Sequence, residues 1–74
     1  MLGEELRKAR EKAGLTQDEL SFSAKIDRAS VSQLERNLKS PTVDVLVRVC
    51  QALGVPASKL LARVEKAQAK RSKP

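Results

Sequence analysis

"IDRASVSQLERN", residues 26–37, is the stretch whose reading decides the fold of this chain. It has the form of a helix. Asp27 is a good N-cap, because a carboxylate can accept the orphan N–H groups of a first helical turn. Asn37 closes it, being the residue other than Gly that best tolerates a left-handed C′ position. At about 100° per residue, Val31, Leu34 and Leu38 fall within roughly 60° of one another and make a core stripe. Arg28, Ala29, Ser32, Gln33 and Arg36 fall on a separate arc of about 140°. That arc carries no acidic residue, and Glu35 lies at the edge of the core stripe.

The arc holds side chains that major-groove base edges can use. Arg suits guanine, Gln suits adenine, Ser serves either, and Ala meets the thymine methyl. Ala and Ser are also short, so the helix backbone can approach a surface closely. A polar helix face can equally be only solvated. The acidic residues Glu4, Glu5, Glu11, Asp18, Glu19 and Asp44 all lie on other predicted helices. Their absence from this arc favours a binding role without settling it.

Working outward, Leu2, Leu6, Ala9 and Ala13 recur at helical spacing and predict a first helix that ends at Gly14. Thr16 and Glu19 form a T-x-x-E capping box that opens a second helix of about eight residues. Leu20 and Ala24 are expected to face inward, with Phe22 a further candidate. Lys25-Ile26-Asp27 is the connection to the third helix, and Ile26 plugs the core between the two. Beyond it, Ser40 precedes Pro41 and is pushed out of helical geometry. Thr42 then caps a fourth helix with Val43, Leu46, Val47, Cys50 and Leu53 as its buried stripe, ended by Gly54. Pro56 starts a fifth helix through Leu60, Leu61 and Val64. Residues 68–74 offer nothing apolar to bury and are expected to form a basic flexible tail after a domain spanning 1–67.

A chain of 74 residues makes one small domain, and one of that size is marginal enough that a partner subunit often helps. Phe22 is the only aromatic residue, so the core must be aliphatic. With few Gly and Pro, that composition suits an all-α bundle. The absence of His and the single Cys50 remove most zinc sites and any His-based general base. No metal or cofactor is expected, and no constellation of nucleophile and base points to an enzyme. Cys50 lies on the apolar stripe of the fourth helix and is read as a packing residue. No apolar run approaches membrane-spanning length and no signal-peptide core is present, so the expected location is cytoplasmic, without a membrane partner. The net charge is +6 and the pI about 10.0. Much of that excess sits in residues 62–74, where five Lys and Arg face one Glu, so basicity alone says little about nucleic acid.

A short capped helix, a tight turn and a second helix with short polar side chains resemble the phage-repressor and Cro-like helix-turn-helix family. The resemblance rests on "LTQDEL" (15–20), "IDRASVSQLERN" (26–37), "SPTVDVLVRVCQALGV" (40–55) and "LL" (60–61), and it covers about residues 2–64. It implies a compact five-helix domain whose third helix lies in the major groove and whose second crosses the phosphate backbone. Carried over by position, Arg28, Ala29, Ser32 and Gln33 would face base edges. Gln17, Lys25, Arg36, Asn37 and Lys39 would sit near phosphates. Arg10 and Glu35 match a pair that ties the first helix to the third. Leu60, Leu61 and Val64 would serve a twofold dimer through the fifth helix, although all could also pack within one chain.

The sequence departs from the family where Ser21 replaces a usual Ala, and where Lys25 and Asn37 stand at positions often held by Gly. Lys25 would need a left-handed backbone at a cost on the order of 1 kcal/mol. The function so implied is a sequence-specific, DNA-binding transcriptional regulator. A homodimeric repressor of a palindromic operator fits best, and the small size is similar to restriction–modification controller proteins. The alternative is an antitoxin or other protein-binding module on the same fold.

Overall fold

The computed structural model describes residues 2–71, with side chains described to residue 67. Five helices follow one another, α1 (Leu2–Lys12), α2 (Gln17–Ala24), α3 (Arg28–Glu35), α4 (Val43–Leu53) and α5 (Ala57–Arg71). Among the described residues there is no strand. α2 packs on both α3 and α4, α1 lies against α3 and α5, and α5 also meets α4.

Local chemistry sets the boundaries. Thr16 Oγ1 accepts from Glu19 N at 3.1 Å, and Glu19 Oε1 accepts from Thr16 N at 2.8 Å, closing the capping box. Thr42 Oγ1 accepts from Val45 N at 3.2 Å. Gly14 and Gly54 take positive φ just past α1 and α4. Lys25 and Asn37 do the same without being glycine, both at φ 59°. Asp27 does occupy the N-cap of α3, but its side chain makes no capping hydrogen bond. The expected carboxylate cap is therefore absent.

The core is aliphatic: Leu6, Leu20, Ala24, Val31, Leu34, Val49, Cys50, Leu53 and Leu60 gather in one cluster, with Ile26 packed against its edge. Several inward placements differ from expectation. Phe22 is 87% exposed, on the side of α2 opposite Leu20 and Ala24. Leu38 is 64% exposed, because the chain leaves helical geometry at Asn37 and the angular extrapolation from Val31 and Leu34 no longer applies. On α4, Val43 and Val47 are exposed, and the buried stripe is instead Val49, Cys50 and Leu53 with Val45 and Leu46 partly covered. Cys50 does pack in the core, and burial pushes its thiol pKa above that of a free cysteine.

The backbone of α5 continues through Arg71, into the stretch expected to form the basic tail, while 72–74 lie outside the described residues. Ala67, Gln68, Ala69, Lys70 and Arg71 are all strong helix formers, and cations suit a helix C-terminus.

Candidate functional site

α3 is held to the domain from one side and left open on the other. Val31 and Leu34 are buried beneath it. Glu35, also buried, is the polar anchor. Arg10 of α1 grips it twice, Nε to Oε2 at 2.6 Å and Nη2 to Oε1 at 3.1 Å. Gln17 Nε2 donates to the same Oε1 at 3.1 Å, and Arg10 Nη1 donates to Leu15 O at 2.9 Å. One carboxylate thus ties α1, the start of α2 and α3 together. The hydrogen bond to Glu35 raises the Arg10 pKa above its ordinary value; burial pulls the other way and the Glu35 charge adds to the rise.

A second tie was not foreseen in the sequence. Gly3 N donates to Asn37 Oδ1 at 3.0 Å, which fixes the start of α1 to the end of α3. A Cβ at Gly3 would stand 2.5 Å from both Leu34 O and Glu35 O. The close approach needs glycine at that position. A glycine inside the first turn of a helix was the available signal.

Against this anchored face stands the polar arc. Arg28, Ala29 and Gln33 are exposed and Ser32 is half-buried, so the expected base-facing residues share one accessible side of α3. Arg36, Asn37 and Lys39 are exposed at its C-terminal end, and Lys25 is exposed at the turn before it. Lys39 Nζ reaches Ser30 Oγ at 3.5 Å. Gln17 is half-buried, with its amide committed to Glu35. Arg28 is not wholly free: Nε lies 3.0 Å from Asp18 Oδ1, a pair in which both side chains are largely exposed.

The turn between α2 and α3 is tight. Lys25 adopts φ 59° and ψ 46°, and its N–H points back to Phe22 O. Ile26 N donates to Ser21 O at 3.0 Å. Ser21, at the position where the resemblance expects Ala, satisfies its hydroxyl within its own helix by donating to Asp18 O at 2.7 Å. It is buried at little polar cost, since a buried hydroxyl is expensive only when unpaired.

The fifth helix divides the residues expected at a dimer interface. Leu60 is 0% exposed and Val64 is buried, so both are used by the domain's own core. Leu61 is 41% exposed and keeps surface to offer. No single described helix is long and apolar enough to cross a membrane. Among the described residues there is no group of His, Cys, Asp and Glu side chains that could hold a metal ion.

Comparison with known proteins agrees with this architecture. The helix-turn-helix family profile matches residues 6–60. Transcriptional regulator ClgR of Mycobacterium tuberculosis is 38% identical over 61 residues, covering 82% of this chain and 54% of the relative. The chain thus spans about half the length of that curated relative. Among solved structures, the clp gene regulator ClgR from Corynebacterium glutamicum superposes with a TM-score of 0.89 at 31% identity, covering 96% of this chain and 76% of the other. The restriction–modification controller protein C.AhdI from Aeromonas hydrophila gives 0.78 at 29%, covering 80% and 89%. SinR, a master regulator for biofilm formation solved in complex with DNA, gives 0.78 at 31%, covering 82% and 98%. The chain belongs to the helix-turn-helix family.

Proposed function

We propose that this helix-turn-helix chain is a sequence-specific DNA-binding transcriptional regulator, acting as a homodimeric repressor that reads a palindromic operator. The observation that carries the reading is the division of α3. Its inner side is locked by Val31, Leu34 and the Glu35 carboxylate, and its outer arc is open, short and free of acid. A rigid helix with Arg28, Ala29, Ser32 and Gln33 on one accessible side can enter a major groove about 12 Å wide and present donors, acceptors and a methyl to base edges.

Lys25, Arg36, Asn37 and Lys39 flank that arc at both ends and are assigned to phosphates, with Gln17 at the start of α2. Gln17 can serve by its backbone N–H at the helix N-terminus, even with its amide turned to Glu35. Leu61 is assigned to the twofold contact, because Leu60 and Val64 are already covered. A dimer would repeat α3 at a spacing near one helical turn of DNA, roughly 34 Å. The SinR structure, solved with DNA, and the regulator names of the relatives support the choice of partner. A cytoplasmic location follows from that role.

Selection of binding sites from a random pool of duplexes, at two salt concentrations, tests the reading. A two-half-site palindrome is the expected product. Binding without sequence preference, lost at the higher salt, would instead mean that phosphate attraction is the whole of the interaction.

A further inference from the structure

Several cations on the surface of α1 and α4 have carboxylate neighbours. On α1, Arg7 lies 4.0 Å from Glu11 and Lys8 lies 3.6 Å from Glu5. On α4, Arg48 lies 3.5 Å from Asp44. All three pairs follow the i,i+3 or i,i+4 spacing that brings opposite charges together on a helix surface.

Lys25, Arg36 and Lys39 around α3 make no ion pair among the described residues, and neither do three cations that share one cleft away from α3. A cleft of about 320 Å³ opens between the C-terminal end of α1, the α4–α5 turn and the first turns of α5. Leu53, Val55 and Pro56 supply apolar wall, and Lys12, Lys59 and Arg63 supply charge. No acidic residue lines it. Lys59 and Arg63 stand at i,i+4 on α5, a like-charge pair that destabilises a helix. Neither has an acidic residue three or four positions away on either side, and Lys12 has none either. Among the described residues, none of the three makes an ion pair.

Three cations without acidic partners line one concave, partly apolar surface, and together they make it locally positive and attractive to an anion. The volume lies at the lower end of the range found for small-molecule pockets, about 300–1,000 Å³. Its lining comes from α1, the end of α4, the α4–α5 turn and α5, and includes no residue of α3. We propose that this cleft is a binding site for a small organic anion carrying two or more negative charges, as carboxylates or as a phosphate ester. The apolar wall takes the carbon body of the ligand, and Lys12, Lys59 and Arg63 take its charges. Arg63 can hold a carboxylate or phosphate through two parallel N–H donors, while the lysines act as point charges.

The test is a titration of ¹⁵N-labelled protein with citrate and, separately, with glucose 6-phosphate, at about 0.15 M salt, where exposed charges are screened beyond roughly 8 Å. The expected result is saturable amide shifts centred on Ala13, Gly54, Val55 and Lys59 with at least one probe. The responding probe then separates carboxylate from phosphate chemistry. Arg63→Gln and Lys59→Gln should each weaken that binding about tenfold or more, and the amide spectrum itself reports that both variants are folded. The proposal is overturned if neither probe saturates the cleft, or if the variants bind as the wild type does. It is overturned equally if shifts scatter over all surface cations and vanish with added salt. A loss of duplex affinity in Arg63→Gln, with no small-anion response in the wild type, would assign these cations to the DNA backbone instead.

Discussion

Arg10 Nε of α1 and Glu35 Oε2 of α3 lie 2.6 Å apart, with 13% and 4% of their side chains exposed. The pair joins residues 25 positions apart in sequence, and it does so at the edge of the core stripe, beside the open arc of α3. The same carboxylate accepts from Gln17. The orientation of α3 therefore depends on an interaction that touches none of the residues assigned to base edges.

Glu35→Ala should destabilise the domain by about 3 kcal/mol, since removing one partner leaves the other charge partly buried without compensation. Urea unfolding followed by circular dichroism measures it. A loss under about 1 kcal/mol would place the pair in the class of exposed salt bridges and remove its anchoring role.

Base reading and phosphate positioning separate by their response to sequence. Gln33→Ala should cost about 1–3 kcal/mol on the selected operator and relax preference at one base position. Lys39→Ala, which removes an exposed cation assigned to phosphate, should weaken all duplexes more evenly. Fluorescence anisotropy with operator and scrambled duplexes distinguishes them. Equal binding of every duplex by Gln33→Ala and wild type would take Gln33 off the reading face.

Lys25 holds a left-handed conformation that costs an L-residue roughly 1–2 kcal/mol relative to the right-handed form. Lys25→Gly should therefore raise unfolding stability, by less than that amount because glycine also frees the unfolded chain. The same change removes a cation assigned to phosphate. Its effect on DNA affinity should be a uniform decrease, with a shallower salt slope by about 1. Stability rising while affinity falls would be the signature of a residue kept for charge at a structural cost.

Leu61 carries the dimer assignment alone, so Leu61→Glu should convert the protein to a monomer by sedimentation equilibrium. The unfolding midpoint measured at concentrations where the wild type is monomeric should stay unchanged, because Leu61 is outside the core cluster. A wild type that is itself monomeric at every concentration would end the dimer proposal. Leu60→Ala behaves differently, with an expected loss of about 2–5 kcal/mol from the core.

Burial of Cys50 makes a pH prediction with a definite sign. Burial holds the folded thiol's pKa above its value in the unfolded chain, about 9.0, so folding favours the protonated form. The resulting stability is fully present below pH 9.0 and is lost as pH rises through the folded-state pKa. Wild type minus Cys50→Ala should show this difference shrinking in alkaline unfolding titrations. At neutral pH the native thiol should react with a disulfide reagent far more slowly than the urea-unfolded chain. Equal rates would mean that the thiol is accessible.

The features legible in the sequence were those set by local chemistry. The capping box of Thr16 and Glu19, and the left-handed positions of Gly14, Asn37 and Gly54, follow from a few adjacent residues and occur as read, while that of Lys25 was implied only by the family resemblance. Apart from the local cap that Asp27 does not make, what failed needed a tertiary partner to decide. α4 places Val at 43, 45, 47 and 49, so apolar surface runs around much of the helix and its period does not single out one face. The neighbouring α2 and α5 select Val49, Cys50 and Leu53 and leave Val43 and Val47 outside. Phe22 was a candidate for the core on hydrophobicity alone, yet on a helix this short Leu20 and Ala24 already define the buried side. At the candidate site, the members of the arc could be read from helical angles. The bond from Gly3 to Asn37 could not, because it joins residues 34 positions apart.

Asp18 stands beside Arg28, and that neighbour bears on time spent at wrong addresses. On the proposed reading of Arg28, a guanidinium that faces a carboxylate through Nε exchanges that contact when it turns to a base. Guanine, with two acceptors in one plane, can replace what the arginine leaves behind; a thymine or cytosine at the same position cannot. The exposed pair is weak, worth on the order of 0–1 kcal/mol, but it subtracts from every encounter and is refunded only at a matching site. A domain with this arrangement should dwell briefly on random duplex and slide off quickly. Its search of a long DNA would then be limited less by escape from false sites than by arrival at the true one.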